Sequence, residues 1–155
     1  MDANIGLNET QRRAVVDILN RLLADEVLLY IKTRNYHWNV VGPQFSELHK
    51  FFESQYDELD EIMDEVAERA RALGGKAAGS MSEFLKLARL KEAAGGDARK
   101  MIAELLGDHE SVIRSLREDL AAVGEKHGDA GTNDFLTGLM EQHEKLAWML
   151  RAHLS

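Results

Sequence analysis

The chain has 155 residues and a net charge of −8, with 45% apolar and 30% charged residues. That is an ordinary composition for a single domain with a real core. Cysteine is absent, which excludes disulfides and thiolate metal sites, so any metal must be held by nitrogen and oxygen. No apolar run is long enough to span a membrane and no basic-then-apolar leader is visible, so the expected compartment is the cytoplasm. The acidic balance suits cations better than nucleic acid. A basic tail would override this locally, but the first thirteen residues set Asp2 and Glu9 against Arg12 and Arg13, with no lysine. At the other end the chain stops at Ser155, close behind its last predicted helix. Neither end reads as a DNA-binding arm. There is one proline, and Ala, Leu, Glu, Lys and Arg dominate, which predicts an all-α domain over residues 1–155 with a short tail at 1–7.

Asn8-Glu9-Thr10-Gln11 reads as a helix N-cap with its capping-box partner. The helix that follows repeats Val15, Ile18, Leu19, Leu22, Leu29 and Thr33 at helical spacing and is expected to end near Asn35. His37 then falls at or just past its end. Gly42-Pro43 marks a break, with Pro43 placed to open the second helix. There Phe45, Leu48, Phe52, Leu59, Met63, Val66, Ala70 and Leu73 trace the buried stripe, and Gly74-Gly75 stops it. His49, Glu53, Asp60, Asp64 and Glu68 fall on an adjacent arc. A long connection contains a second capping box, Ser80 to Glu83, opening a short helix with Phe84, Leu85, Leu87 and Leu90. Asp97 caps the third main helix, which is predicted to reach Gly124, and the fourth is predicted from about Thr132 to His153. Four long helices with one long middle crossover make the connectivity of a ferritin-like four-helix bundle.

A di-iron centre inside such a bundle needs Glu-x-x-His on two helices. The residues three before the six histidines are Arg34, Ser46, Leu106, Gly124, Met140 and Leu150, so that centre is absent. Glu26, His109 and His143 do fall on the buried lines. Their ordinary reading is a hydrogen-bonded polar layer, and the sharper one is an unusual metal site within the bundle. His37, His49, Asp64 and Glu68 form a second constellation: two imidazoles and two carboxylates, a plausible shell for iron. At about 1.5 Å per residue, His49 and Asp64 stand about 22 Å apart on one helix. A single chain cannot close that shell, so if these residues share a metal, two chains build it. The plain alternative is a helix-end histidine and solvated surface carboxylates.

Tyr36-His37-Trp38-Asn39-Val40, His49, Asp57-Glu58-Leu59-Asp60-Glu61 and Asp64-Glu65-x-x-Glu68-Arg69 resemble the Dps family of miniferritins. So do Leu73-Gly74-Gly75, Asp108-His109-Glu110 and Trp148-Met149-Leu150-Arg151-Ala152. The likeness runs from about Asn8 to Leu154, and His-x11-His-x14-Asp-x3-Glu is its most specific part. It implies a hollow dodecamer with ferroxidase centres at two-fold interfaces, where one subunit gives His37 and His49 and its neighbour gives Asp64 and Glu68. By the same resemblance Glu53 helps to hold a second iron or a bridging water. Trp38 lies beside the site, either intercepting radicals or simply packing the interface. Iron is the implied metal, with zinc or another divalent ion able to substitute, and hydrogen peroxide is the implied oxidant. Asp129 and Asp134 match positions lining pores that admit iron; helix capping is their ordinary reading. The lysine-rich tails of DNA-condensing members are missing. The rival readings are a same-fold nucleoid protein that coats DNA, a bundle serving only for assembly, and an intra-bundle metal enzyme using Glu26, His109 and His143.

Overall fold

The computed structural model describes residues 3–155, so Met1 and Asp2 of the expected tail lie outside the described residues. Among those described, every regular element is helical: α1 (Glu9–Asn39), α2 (Phe45–Ala72), α3 (Met81–Leu87), α4 (Ala98–Ala121) and α5 (Ala130–Ala152). Two long hairpins, α1 with α2 and α4 with α5, pack together, and the short α3 lies in the crossover against α1. The bundle and its crossover helix are as the spacing predicts.

The starts of the helices are set locally. Asn8 and Gln11 exchange side-chain to backbone hydrogen bonds of 2.9 Å each, and Ser80 and Glu83 do the same for α3. Asp97 accepts from the Lys100 amide at 2.8 Å. The ends of the elements depart from expectation in three places. α1 continues four residues past Asn35, where the Val40 N–H donates to the Tyr36 carbonyl at 2.9 Å and the Asn39 side-chain Nδ2 donates to the Asn35 carbonyl at 3.0 Å. His37 therefore sits in the last helical turn. Pro43 lies in the turn rather than at the first helical position, and α2 opens at Phe45. α4 widens into a π-turn, Ala122–Lys126, and α5 starts at Ala130 rather than Thr132. The Leu120 carbonyl, near that widening, accepts from Asn133 Nδ2 at 2.6 Å.

α2 stops in a Schellman arrangement, with Gly75 N–H bonded to Ala70 O and Gly74 N–H to Arg71 O. Gly74 has φ +83, and a Cβ on Gly75 would lie 2.5 Å from both Val16 methyls, so the chain crosses α1 here only because no side chain intervenes.

The core is nearly the expected one. Val15, Leu19, Leu22, Leu29, Leu48, Phe52, Leu59, Leu105, Leu116, Leu136 and Leu150 are all buried. Phe45, expected on the buried stripe of α2, is exposed, while Ile62 and Tyr56 are buried instead.

Two ionic clamps hold the crossover. Asp25 accepts from Arg89 N at 2.6 Å, Arg89 Nε at 2.7 Å and Leu90 N at 3.1 Å, and Arg89 also reaches Asp119 at 3.2 Å. Buried Lys32 pairs with Asp108 at 2.6 Å and Glu104 at 3.1 Å. Glu104 also accepts from the Tyr36 hydroxyl and, at 3.2 Å, from the Ala94 amide. Burial and the bond to Glu104 raise the Tyr36 hydroxyl well above the ordinary phenol range.

At the bundle centre Glu26, His143 and His109 are each fully buried. His143 Nε2 bonds Glu26 Oε1 at 2.8 Å, and His143 Nδ1 meets His109 Nδ1 at 2.9 Å. The ordinary reading holds in its connections but not in full satisfaction, since Glu26 Oε2 and His109 Nε2 have no partner. The heteroatoms are strung in a line at hydrogen-bond spacing, whereas a metal needs donors converging on one point at about 2.0–2.2 Å.

Candidate metal site at the α1–α2 turn

The turn at Gly42-Pro43 folds α2 back along α1 and lays His37, in the last turn of α1, against His49, in the second turn of α2. The two rings stack, with centroids 3.7 Å apart and planes 19° from parallel. Each ring nitrogen Nδ1 bonds the other residue's backbone carbonyl: His37 Nδ1 to His49 O at 2.6 Å and His49 Nδ1 to His37 O at 2.8 Å. A carbonyl only accepts, so Nδ1 carries the proton in both rings and each Nε2 presents a lone pair. The His37 carbonyl is free for this because it belongs to the last turn of α1, where carbonyls lack a helical partner. The arrangement is the one a metal-ligating histidine needs, with the tautomer fixed from behind.

His37 is buried and His49 half-buried, while Glu53, one turn further along α2, is exposed. Tyr56 links the two kinds of group. Its ring meets His37 edge-on at 5.2 Å, and its hydroxyl lies 3.5 Å from Glu53 Oε1, a long hydrogen bond. Arg34 Cζ sits 4.4 Å from the centre of the Tyr56 ring and 5.5 Å from that of Trp38, and its Nη1 donates to the Tyr30 hydroxyl at 2.8 Å. Trp38 is exposed beside this cluster.

The structure brings His37 and His49 together and places Glu53 one turn along α2 from His49. Asp64 and Glu68 are exposed on α2, about 22 Å and more from His49 by helical rise. Among the described residues, no three His, Asp or Glu side chains of one chain gather closely enough to hold a metal ion. The two imidazoles thus leave coordination positions open, and an exposed acidic run from Asp57 to Glu68 lies elsewhere on the surface of the same helix.

Asp129 is buried and caps α5, accepting from Thr132 N at 3.0 Å and Thr132 Oγ1 at 2.5 Å, with Arg69 at 3.4 Å. Asp134 is exposed. Sequence reasoning passed over Tyr56 and Lys32. A lysine and a tyrosine four apart on the buried side of α1, facing Glu104 and Asp108 four apart on α4, was the available signal for the Lys32 clamp. Between α1 and α3 runs a groove of about 440 Å³ lined by Val27, Leu28, Ile31, Met81, Phe84 and Leu85. Ile31, Met81 and Leu85 are exposed there. No helix among the described residues is long and apolar enough to cross a membrane.

The sequence profile of the ferritin-like domain family matches residues 16–155. A low temperature-induced protein of Nostoc is 53% identical over 97% of this chain and 86% of its own length. DNA protection during starvation protein 2 of Bacillus anthracis is 39% identical over 92% of this chain and 98% of its own. Among solved structures, the Dps protein of Vibrio cholerae O1, described as a member of a broad superfamily of ferritin-like diiron-carboxylate proteins, superposes with TM-score 0.93. It shares 36% identity over 99% of this chain and 97% of that one.

Proposed function

Because the chain belongs to the Dps family of ferritin-like proteins, we propose that it is a cytoplasmic miniferritin that oxidises ferrous iron and stores the ferric product in a hollow shell. The observation that carries this reading is the reciprocal lock of His37 and His49, which leaves two Nε2 lone pairs available, while no three His, Asp or Glu side chains among the described residues gather to hold a metal ion. Asp64 and Glu68 of a second subunit complete the set, with Glu53 beside it for a second iron. Imidazole with hard carboxylates suits ferrous and ferric iron, and zinc or another divalent ion can take the same place. The apolar groove between α1 and α3 supports pairing of subunits, and a dodecamer is the assembly proposed. Asp134, exposed near the start of α5, offers a carboxylate on the route by which iron is drawn in, with Asp129 behind it as the helix cap.

Iron is substrate and cargo. Each hydrogen peroxide accepts one electron from each of two ferrous ions and two protons from solvent, giving two waters, so no hydroxyl radical leaves the site. Hydrolysis of the ferric ions releases protons and forms the oxyhydroxide. The protein's part is to hold the pair of irons with fixed ligands and to keep the product enclosed. Protection of this kind needs no contact with DNA, and the net charge of −8 favours cations. The alternative, a same-fold protein coating DNA, predicts a salt-sensitive gel shift.

The test is anaerobic loading with ferrous iron, then hydrogen peroxide, following soluble ferric absorbance in the wild type and in Asp64→Ala. Oxidation that keeps iron soluble should slow by tenfold or more in the variant, in line with about 10–100-fold effects at metal sites. Precipitation at the rate of a protein-free control would show that the ferroxidase reading is wrong.

A further inference from the structure

Tyr56 touches both kinds of ligand in the site and belongs to neither set. Its ring packs edge-on against His37 at 5.2 Å, and its hydroxyl approaches Glu53 Oε1 at 3.5 Å. The ring is pinned in turn. Arg34 covers it with the guanidinium 4.4 Å from its centre, and Tyr30 meets it edge-on at 6.0 Å. Arg34 is itself tethered by its 2.8 Å bond to the Tyr30 hydroxyl. Tyr56 is buried, and α2 places it two turns after His49.

From this we propose that Tyr56, clamped by Arg34, is a positioning residue for the metal site: it fixes the swing of the His37 ring and steers the Glu53 carboxylate. The inference rests on the metal-site reading above. The His49 carbonyl holds His37 at one atom, Nδ1, and the His49 ring stacks on its face at 3.7 Å, which fixes the tautomer but leaves the ring able to slide in its own plane about that hydrogen bond. Edge-on packing against Tyr56 removes that freedom, and a ligand held in plane loses less freedom when metal binds. Glu53 is exposed and, with Tyr56 as its recorded hydrogen-bond partner, takes its direction from that hydroxyl.

Cobalt(II) is the probe, since its visible absorption reports ligand geometry and it suits nitrogen and oxygen donors. It would be titrated into the assembled protein and into Tyr56→Leu, Tyr56→Phe, Arg34→Leu and His37→Ala. Tyr56→Leu should bind about tenfold more weakly with an altered visible spectrum. Tyr56→Phe, which keeps the ring against His37, should recover most of the affinity. Arg34→Leu, at a half-buried surface position, should weaken binding in the same direction and serves if Tyr56→Leu does not fold. Wild-type affinity and spectrum in Tyr56→Leu or, failing that, Arg34→Leu, while His37→Ala loses cobalt, would overturn the positioning role alone. Undiminished binding in His37→Ala would sink the site reading and this inference together.

Discussion

Glu26, His143 and His109 place an ionisable chain at the driest point of the bundle, and the chemistry of one member sets a pH dependence. Burial, and then the neighbouring His143, hold the His109 imidazole well below its usual range. In the unfolded chain the same imidazole titrates near its ordinary value of about 6.5. Below that value the unfolded state binds a proton that the folded state refuses, so the contribution of His109 is complete above it and is lost as pH falls. One such proton is worth about 1.4 kcal/mol per pH unit. Denaturant unfolding between pH 7.5 and 5.5 should therefore show a steeper loss of stability in the wild type than in His109→Gln. Equal slopes would mean that His109 is protonated within the folded bundle. At the same scale, the lock between His37 and His49 shows how two residues that helical phase assigns to separate elements become one donor pair.

The helices themselves answer to local chemistry, and the crossover does not. Capping boxes at Asn8 and Ser80 and the Gly74-Gly75 stop are visible as short patterns, because each is closed by residues three to five apart. The extension of α1 from its expected end near Asn35 to Asn39 lies past Thr33, the last residue of the apolar line, where no short pattern marks it. What fixes the crossover is Asp25, a nearly fully buried carboxylate that accepts three hydrogen bonds from Arg89 and Leu90. Asp25→Ala leaves two backbone amides and Arg89 Nε without their acceptor, at a cost of about 2–3 kcal/mol. Urea unfolding should show that loss, and hydrogen exchange should show it concentrated between α3 and α4. An unchanged midpoint with unchanged exchange there would remove Asp25 from the account of how the crossover is held.

At the scale of the molecule, one chain presents incomplete halves of everything the proposed function needs: a donor pair without carboxylates, carboxylates without a donor pair, and an apolar groove open to solvent. Ile31, Met81 and Leu85 are exposed along that groove. If a second copy covers them, Leu85→Glu buries a charge against apolar surface and should split the assembly, by sedimentation, into smaller species that keep their helical circular dichroism. On the proposed function, ferrous oxidation should fall with it, because a site shared between subunits would be lost. An intact assembly in Leu85→Glu would show that subunits meet elsewhere.

The sequence by itself determined the helices, their caps, the bundle connectivity and most of the core line, because all of these follow from periodicity and short spacing. It also implied, through helical rise alone, that His49 and Asp64 cannot serve one metal from a single chain. Tertiary structure decided which polar groups meet. Glu26 and His143 are 117 positions apart, and Lys32 and Asp108 are 76 apart. Their pairing depends on how helices rotate and slide against one another, which no local pattern records. The same holds for Tyr56: helical phase left it off the expected stripe, and only the packing of α2 on α1 turns it toward His37. Local rules set where each helix lies in the chain, and packing sets which side chains share a dry interior.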